Sequence, residues 1–137
     1  DWHIHLHTEG ENLPFFIPKI EASGVKLVID HLGRPDPKTG INSDGFKAML
    51  KSIEKGRTWV KMSAAYRLGD AAPDYARALI KSADHDRLMW ASDCPYQVDP
   101  GHTYAGSIGL IRDRLDFLSA ADRDWMLRRT AEKVFFS

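Results

Sequence analysis

Four short apolar runs, each followed by a stretch with apolar residues at helical spacing, leave this chain few folds to choose from. The runs lie at residues 2–7, 25–31, 57–63 and 87–92. Each is too short for a helix and too rich in β-branched or aromatic residues to be a loop. The second, Val25-Lys26-Leu27-Val28-Ile29-Asp30-His31, is hydrophobic on both of its faces, as a parallel strand covered by helices must be. Between the runs, Pro14 opens a helix with an apolar stripe of Phe16, Ile17 and Ile20, closed by Gly24. Phe46, Met49, Leu50 and Ile53 form the next stripe, stopped at Gly56. Pro73 starts a third, which packs Tyr75, Ala78 and Leu79. Two closing helices complete the pattern. The first carries Ile108, Ile111, Leu115 and Leu118; the second begins at the capping box Ser119-x-x-Asp122 and packs Leu127, Ala131 and Val134.

Strand and helix alternate at roughly 30 residues per unit, which demands a parallel sheet with right-handed crossovers. An eight-unit barrel takes about 250 residues. The expected fold is therefore α/β, the C-terminal half (strands five to eight) of a (β/α)8 TIM barrel, with residues 1–137 as a single half-barrel domain. A small doubly wound sheet would want a glycine-rich phosphate loop after its first strand, and Thr8-Glu9-Gly10-Glu11 is acidic instead. Asp1 is not a methionine and the strand pattern starts at once, so the chain reads as the later portion of something longer. Four parallel strands expose two raw edges, so a missing N-terminal half-barrel or a second copy of the chain is the expected partner.

The charge balance narrows function. Nineteen basic residues meet nineteen acidic ones with no block of like charge, so nothing points to nucleic acid or an anionic membrane surface. No apolar run approaches the ~20 residues of a membrane span. One cysteine, Cys94, excludes an internal disulfide and fits a reducing, cytoplasmic setting. Its neighbour Asp93 would raise a thiol pKa, which argues against Cys94 as a nucleophile.

Chemistry gathers at the strand ends. His3, His5 and His7 share one face of the first strand, opposite Trp2, Ile4 and Leu6, which should pack under helices. Three imidazoles make a poor apolar core and suit a polar lumen better. The second strand ends at His31 with Arg34, the third at Ser63 with Arg67, and the fourth at Asp93, where Pro95 forbids further pairing. Lys61, inside a strand, calls for a buried carboxylate partner. In a parallel barrel this rim is where active sites form.

Three segments carry a resemblance: Asp30-His31-Leu32-Gly33-Arg34-Pro35, Val60-Lys61-Met62-Ser63 leading to Tyr66-Arg67, and Trp90-Ala91-Ser92-Asp93-Cys94-Pro95. Together they resemble the second half of an amidohydrolase-superfamily barrel, nearest the amidohydrolase family 2 branch that contains pyrone-dicarboxylate and sugar-acid lactonases. The resemblance implies a hydrolase that opens the lactone of a small carboxylated substrate. Asp93 would take the proton from water and His31 would bond the carbonyl or place the water. Arg34 and Arg67 would hold substrate carboxylates, and His7, with His5, would line the lumen. It implies no cofactor in the pyrone-dicarboxylate branch. The alternative is zinc on His7, His31 and Asp93 in a metal-dependent amidohydrolase or decarboxylase. Cys94-Pro95-Tyr96 departs from the Trp-Pro-His that commonly follows the aspartate in the family. The half-barrel by itself is expected to be inactive.

Overall fold

A computed structural model describes residues 2–96 and 98–137 of the chain. Four parallel strands, β1 His3–Leu6, β2 Lys26–Ile29, β3 Thr58–Lys61 and β4 Leu88–Met89, lie in the order β1-β2-β3-β4. Each strand is followed by helix: α1 Leu13–Ala22, α2 Asp44–Glu54, α3 Ala72–Ser82 and α4 Tyr104–Gly109. The regular strands are shorter than the apolar runs, because each run's last residues turn out of the ladder. His31–Gly33 and Ala65–Ala71 form 3-10 turns directly after β2 and β3.

Pairing starts at His3↔Lys26 and ends at Leu6↔Ile29, and the next ladders run Leu27↔Thr58 to Ile29↔Val60 and Val60↔Leu88 to Lys61↔Met89. Alternation along the strands then sorts the side chains. Leu27, Ile29, Val60 and Leu88 join the large core with Leu13 and Ile17 of α1, Phe46, Met49 and Ile53 of α2, and Tyr75 and Leu79 of α3. Burying each such side chain stabilises by about 1.5–3 kcal/mol, so this layer is what holds the helices on the sheet. The opposite face carries a small second cluster of Val28, Trp59 and Met89, covered by Val134 with Phe135 at its margin.

The ends of the sequence pattern need correction. Trp2 and Ile4 do not pack under helices; they are 88% and 39% exposed, because β1 is an edge strand with a ladder partner on one side only. For the same reason Phe16 stays partly exposed, and Leu13 with Ile17 forms the inward stripe of α1. The closing helix is continuous from α5 Ala120–Asp124 through a wide turn at Trp125–Arg129 into α6 Thr130–Phe135. Its inward residues are Met126, Thr130 and Val134, spaced by four. Leu127, one position on and so about 100° around the helix, faces outward. The capping box at Ser119 and Asp122 forms as the sequence predicts. Met126 O accepts from Trp90 N at 2.7 Å, so this helix covers the outer edge beyond β4.

Candidate active site at the C-terminal ends of the strands

The polar residues predicted at the strand ends do converge, and the backbone there is unusual. His31, Leu32, Arg34, Ala64, Asp93 and Tyr96 all have positive φ, between 43° and 61°. A left-handed conformation costs a residue with a Cβ about 1–2 kcal/mol. All six lie in the loops that follow β2, β3 and β4. Strain of this kind persists where surrounding contacts over-determine it, and it collects at functional sites.

His31 is the centre of the arrangement. It is 8% exposed, with Nδ1 at 2.7 Å from Ser63 Oγ and Nε2 at 3.4 Å from Asp93 Oδ1. Burial holds its pKa below the usual histidine value, although the charges of Asp93 and Asp30 pull the other way. The ring is thus kept largely neutral near pH 7. Tyr66, on the turn after β3, donates its phenolic hydrogen to Asp93 Oδ2. Burial first, and then this bond, push the Tyr66 phenol up to about 12. Both oxygens of the Asp93 carboxylate are therefore occupied by side chains from neighbouring strand ends.

A second set of contacts crosses the open face of the sheet. Lys61 Nζ lies 2.8 Å from Asp30 Oδ1 and 2.8 Å from His5 Nδ1. Asp30 is a part-buried rather than a fully buried carboxylate, and it is the partner that a lysine inside a strand requires. His7 Nδ1 approaches Asp30 Oδ2 at 3.8 Å, and the His7 ring meets the edge of His31 at 4.8 Å. Arg34 binds His7 Nε2 at 2.7 Å and Glu9 at 2.5 Å. The loop bearing Glu9 comes this close because Gly10 and Gly45 lack side chains. Gly10 N donates to Arg34 O at 2.9 Å, and a Cβ on Gly45 would stand 1.9 Å from Gly10 O.

A cavity of about 390 Å³ opens beside His31, with Arg34 and Arg67 in its wall together with Glu9, Ala64 and Leu68. Arg67 Nε is buried with no hydrogen-bond partner among the described residues. Of the residues singled out in the sequence, His31, Arg34 and Arg67 thus line one cavity; His7 and Asp93 touch His31 from either side. His5 is not brought to that cavity. It sits deeper on the sheet face, against Lys61 and with its ring 5.5 Å from Phe135. Burial and then the Lys61 charge lower its pKa. Tyr66 and Asp30 complete the cluster. The sequence held a signal for both, since each abuts a residue already chosen, but only the fold shows their hydrogen bonds.

Among the described residues, the groups that could hold a metal ion are His7, Asp30 and His31, whose ligand atoms all lie within 4.8 Å of one another. Asp30, rather than the Asp93 of the sequence reading, is the carboxylate in that group. The donor set fits an ion poorly. Both His31 nitrogens face other partners, and Asp30 already holds the Lys61 ammonium at 2.8 Å. A divalent cation would have to displace a charge of its own sign.

Comparisons with known proteins bear on the fold and the family. Over 102 residues the chain is 28% identical to 4-sulfomuconolactone hydrolase of Hydrogenophaga intermedia, covering 70% of this chain and 33% of that protein. Over 110 residues it is 29% identical to a 2-pyrone-4,6-dicarboxylate hydrolase of Comamonas testosteroni, covering 69% and 36%. A crystal structure from Pseudomonas putida, described as a 2-pyrone-4,6-dicarboxylic acid hydrolase, superposes with a TM-score of 0.85 at 31% identity, over 98% of this chain and 51% of that one. A zinc-bound amidohydrolase from Burkholderia multivorans shares the fold, with a TM-score of 0.79 at 22% identity, over 98% and 52%. The chain thus spans about a third of the curated relatives' length and about half that of the solved structures. A four-unit parallel sheet covering half of these chains is half of a TIM barrel. Residues 1–136 match the family model described as Amidohydrolase, and the chain belongs to that amidohydrolase family.

Proposed function

We propose that this chain supplies half of the active site of a lactone hydrolase acting on a small carboxylated substrate. The observation that carries the reading is the contact of Asp93 with His31, which itself lines a cavity together with Arg34 and Arg67. Asp93 takes a proton from water as the water oxygen bonds to the lactone carbonyl carbon. His31 holds the Asp93 carboxylate, and the tetrahedral oxyanion is met by the flanking cations. The ring C–O bond then breaks, and the leaving oxygen recovers the proton. Arg67, beside Tyr66, offers its Nε, unpartnered among the described residues, to a substrate carboxylate, whereas Arg34 must first release Glu9. His7 orients Arg34, and His5 belongs to the supporting network. The names of the similar proteins, lactone hydrolases from three bacteria, favour the same substrate class.

The reading is metal-free, because Lys61, Arg34 and Arg67 already surround the available donors. Zinc on His7, Asp30 and His31 is the alternative, and metal analysis of the purified protein separates the two. The partner is a complementary half-barrel on the exposed edge of β1, where Trp2 and Ile4 stand open. A second copy of the chain is the other candidate. No helix among the described residues is long and apolar enough to cross a membrane. A cytoplasmic location remains the expectation from the single cysteine.

The test joins this chain behind the half of the Pseudomonas putida protein that it does not match, and assays chain and fusion on carboxylated lactones including 2-pyrone-4,6-dicarboxylate. Hydrolysis by the fusion, lost on Asp93→Asn, is the expected result. A fusion that folds but opens none of the lactones overturns the substrate class. Equal turnover by the unjoined chain overturns the half-site.

A further inference from the structure

Asp93 has a demanding position. It sits beyond the last strand at φ 61°, in a loop rather than on a regular element, yet the proposed chemistry needs one of its oxygens aimed at the cavity. A carboxylate on a short side chain rotates about two bonds, and among the described residues of its own loop none hydrogen-bonds it. The side chains that reach it come from other strand ends: His31 to Oδ1 and Tyr66 to Oδ2.

Tyr66 is itself pinned. Ala64, at φ 52°, swings the chain out of β3 into the turn that carries Tyr66. Its ring lies 4.7 Å from that of His102, and His102 in turn lies 5.1 Å from Tyr96. His102 and Tyr96 belong to the same loop as Asp93. The loop after β4 is therefore tied to the turn after β3 at two points, one through a hydrogen bond and one through packed rings. A phenol so placed can donate but gives up its proton with difficulty, which suits a fixed strut and not a proton carrier.

We propose that Tyr66 is a positioning residue, whose hydroxyl holds Asp93 Oδ2 so that Oδ1 stays facing His31, which lines the cavity. The proposal rests on the assignment of Asp93 as the group that activates water. It adds a residue that need not touch substrate, and it explains why the turn after β3 must fold tightly at a non-glycine left-handed position.

The test has two arms. In the chain alone, the imidazole nitrogen resonances of His31 are recorded by 15N NMR at fixed pH for the wild type, Asp93→Asn and Tyr66→Phe. Loss of the strut should move the His31 Nε2 signal in the same direction as Asp93→Asn does. An unmoved signal overturns the proposal. In the fusion, Tyr66→Phe should lower kcat about 10–100-fold with KM within about twofold, the pattern of a group that acts through the catalytic base. An unchanged kcat, or a loss seen only in KM, overturns it. Turnover that survives Tyr66→Phe sinks the strut and spares the lactonase reading. A His31 signal that responds in the chain while the fusion opens no lactone does the reverse.

Discussion

Two polar clusters sit at opposite ends of the same strands, and they differ in what they leave open. At the N-terminal ends, Ser52 and Thr58 are nearly fully buried, yet their hydroxyls bond each other at 2.7 Å. Ser52 also donates to Glu21, and Lys55 closes the set on the other Glu21 oxygen, each at 2.7 Å. The left-handed residues before β2 and β3 are Gly24 and Gly56, which adopt φ of 74° and 88° without a Cβ clash. The adjoining cavity is about 150 Å³. At the C-terminal ends the left-handed positions include His31, Leu32, Arg34, Ala64 and Asp93, a buried Arg67 nitrogen has no partner among the described residues, and the cavity is more than twice as large. One cluster satisfies itself; the other keeps strained residues and a buried donor without a partner among the described residues. Buried polar residues alone therefore do not tell the two ends apart. An unpaired buried donor and non-glycine strain do.

That contrast can be broken by experiment. The largest effect should come from Asp93→Asn in the fusion, with kcat falling by about 10²–10⁴ and the fold intact by circular dichroism. A fall below tenfold would place the base elsewhere. Next, Arg67→Ala should raise KM for a dicarboxylate lactone by about 10–100-fold, the worth of a charge-assisted hydrogen bond, with little change in kcat. An unchanged KM for every carboxylated lactone tried would remove the guanidinium grip. At the other end, Ser52→Ala should cost about 1–3 kcal/mol in urea unfolding, since Thr58 and Glu21 each lose a partner, and leave KM as it was. A KM change from that remote site would dissolve the distinction between the clusters.

The smallest effect is in the pH dependence of stability. The His31 pKa is held down by burial, so the folded state resists the proton that the unfolded chain accepts. Stability should begin to fall as pH drops below about 6.5 and keep falling to the lowered folded value. Burial works against ionised Glu21, but the Lys55 and Ser52 hydrogen bonds outweigh it and lower its pKa. Its contribution is complete above about 4.5 and is lost only as pH falls through the lowered value. Unfolding midpoints at pH 7, 5.5 and 4 should therefore decline in two stages, with His31→Gln softening the first. A flat midpoint from pH 7 to 5 would contradict the buried, neutral imidazole.

Much of this architecture was written in local pattern. Strand-length runs between helical stripes fix a parallel α/β unit because neither element can bury its apolar face alone. The strand-end residues His31, Arg34, Arg67 and Asp93 were legible because strand direction puts every C-terminal end on one rim. Lys61 announced an acidic partner. The pattern failed where pairing ends: Trp2 and Ile4 alternate like core residues but stand on an edge, which composition does not reveal. Leu127 failed by a single position within the wide turn of the last helix.

What the sequence by itself determined is the order of units, their shared handedness and the rim on which polar residues gather, since these follow from periodicity and chain direction. Only the tertiary structure decided which of those residues meet. It put Tyr66 on Asp93, Asp30 between Lys61 and His7, and His5 against Phe135 away from the cavity. Contacts between side chains on different strands depend on register and on left-handed turns of a few residues, and no spacing along a single strand encodes them.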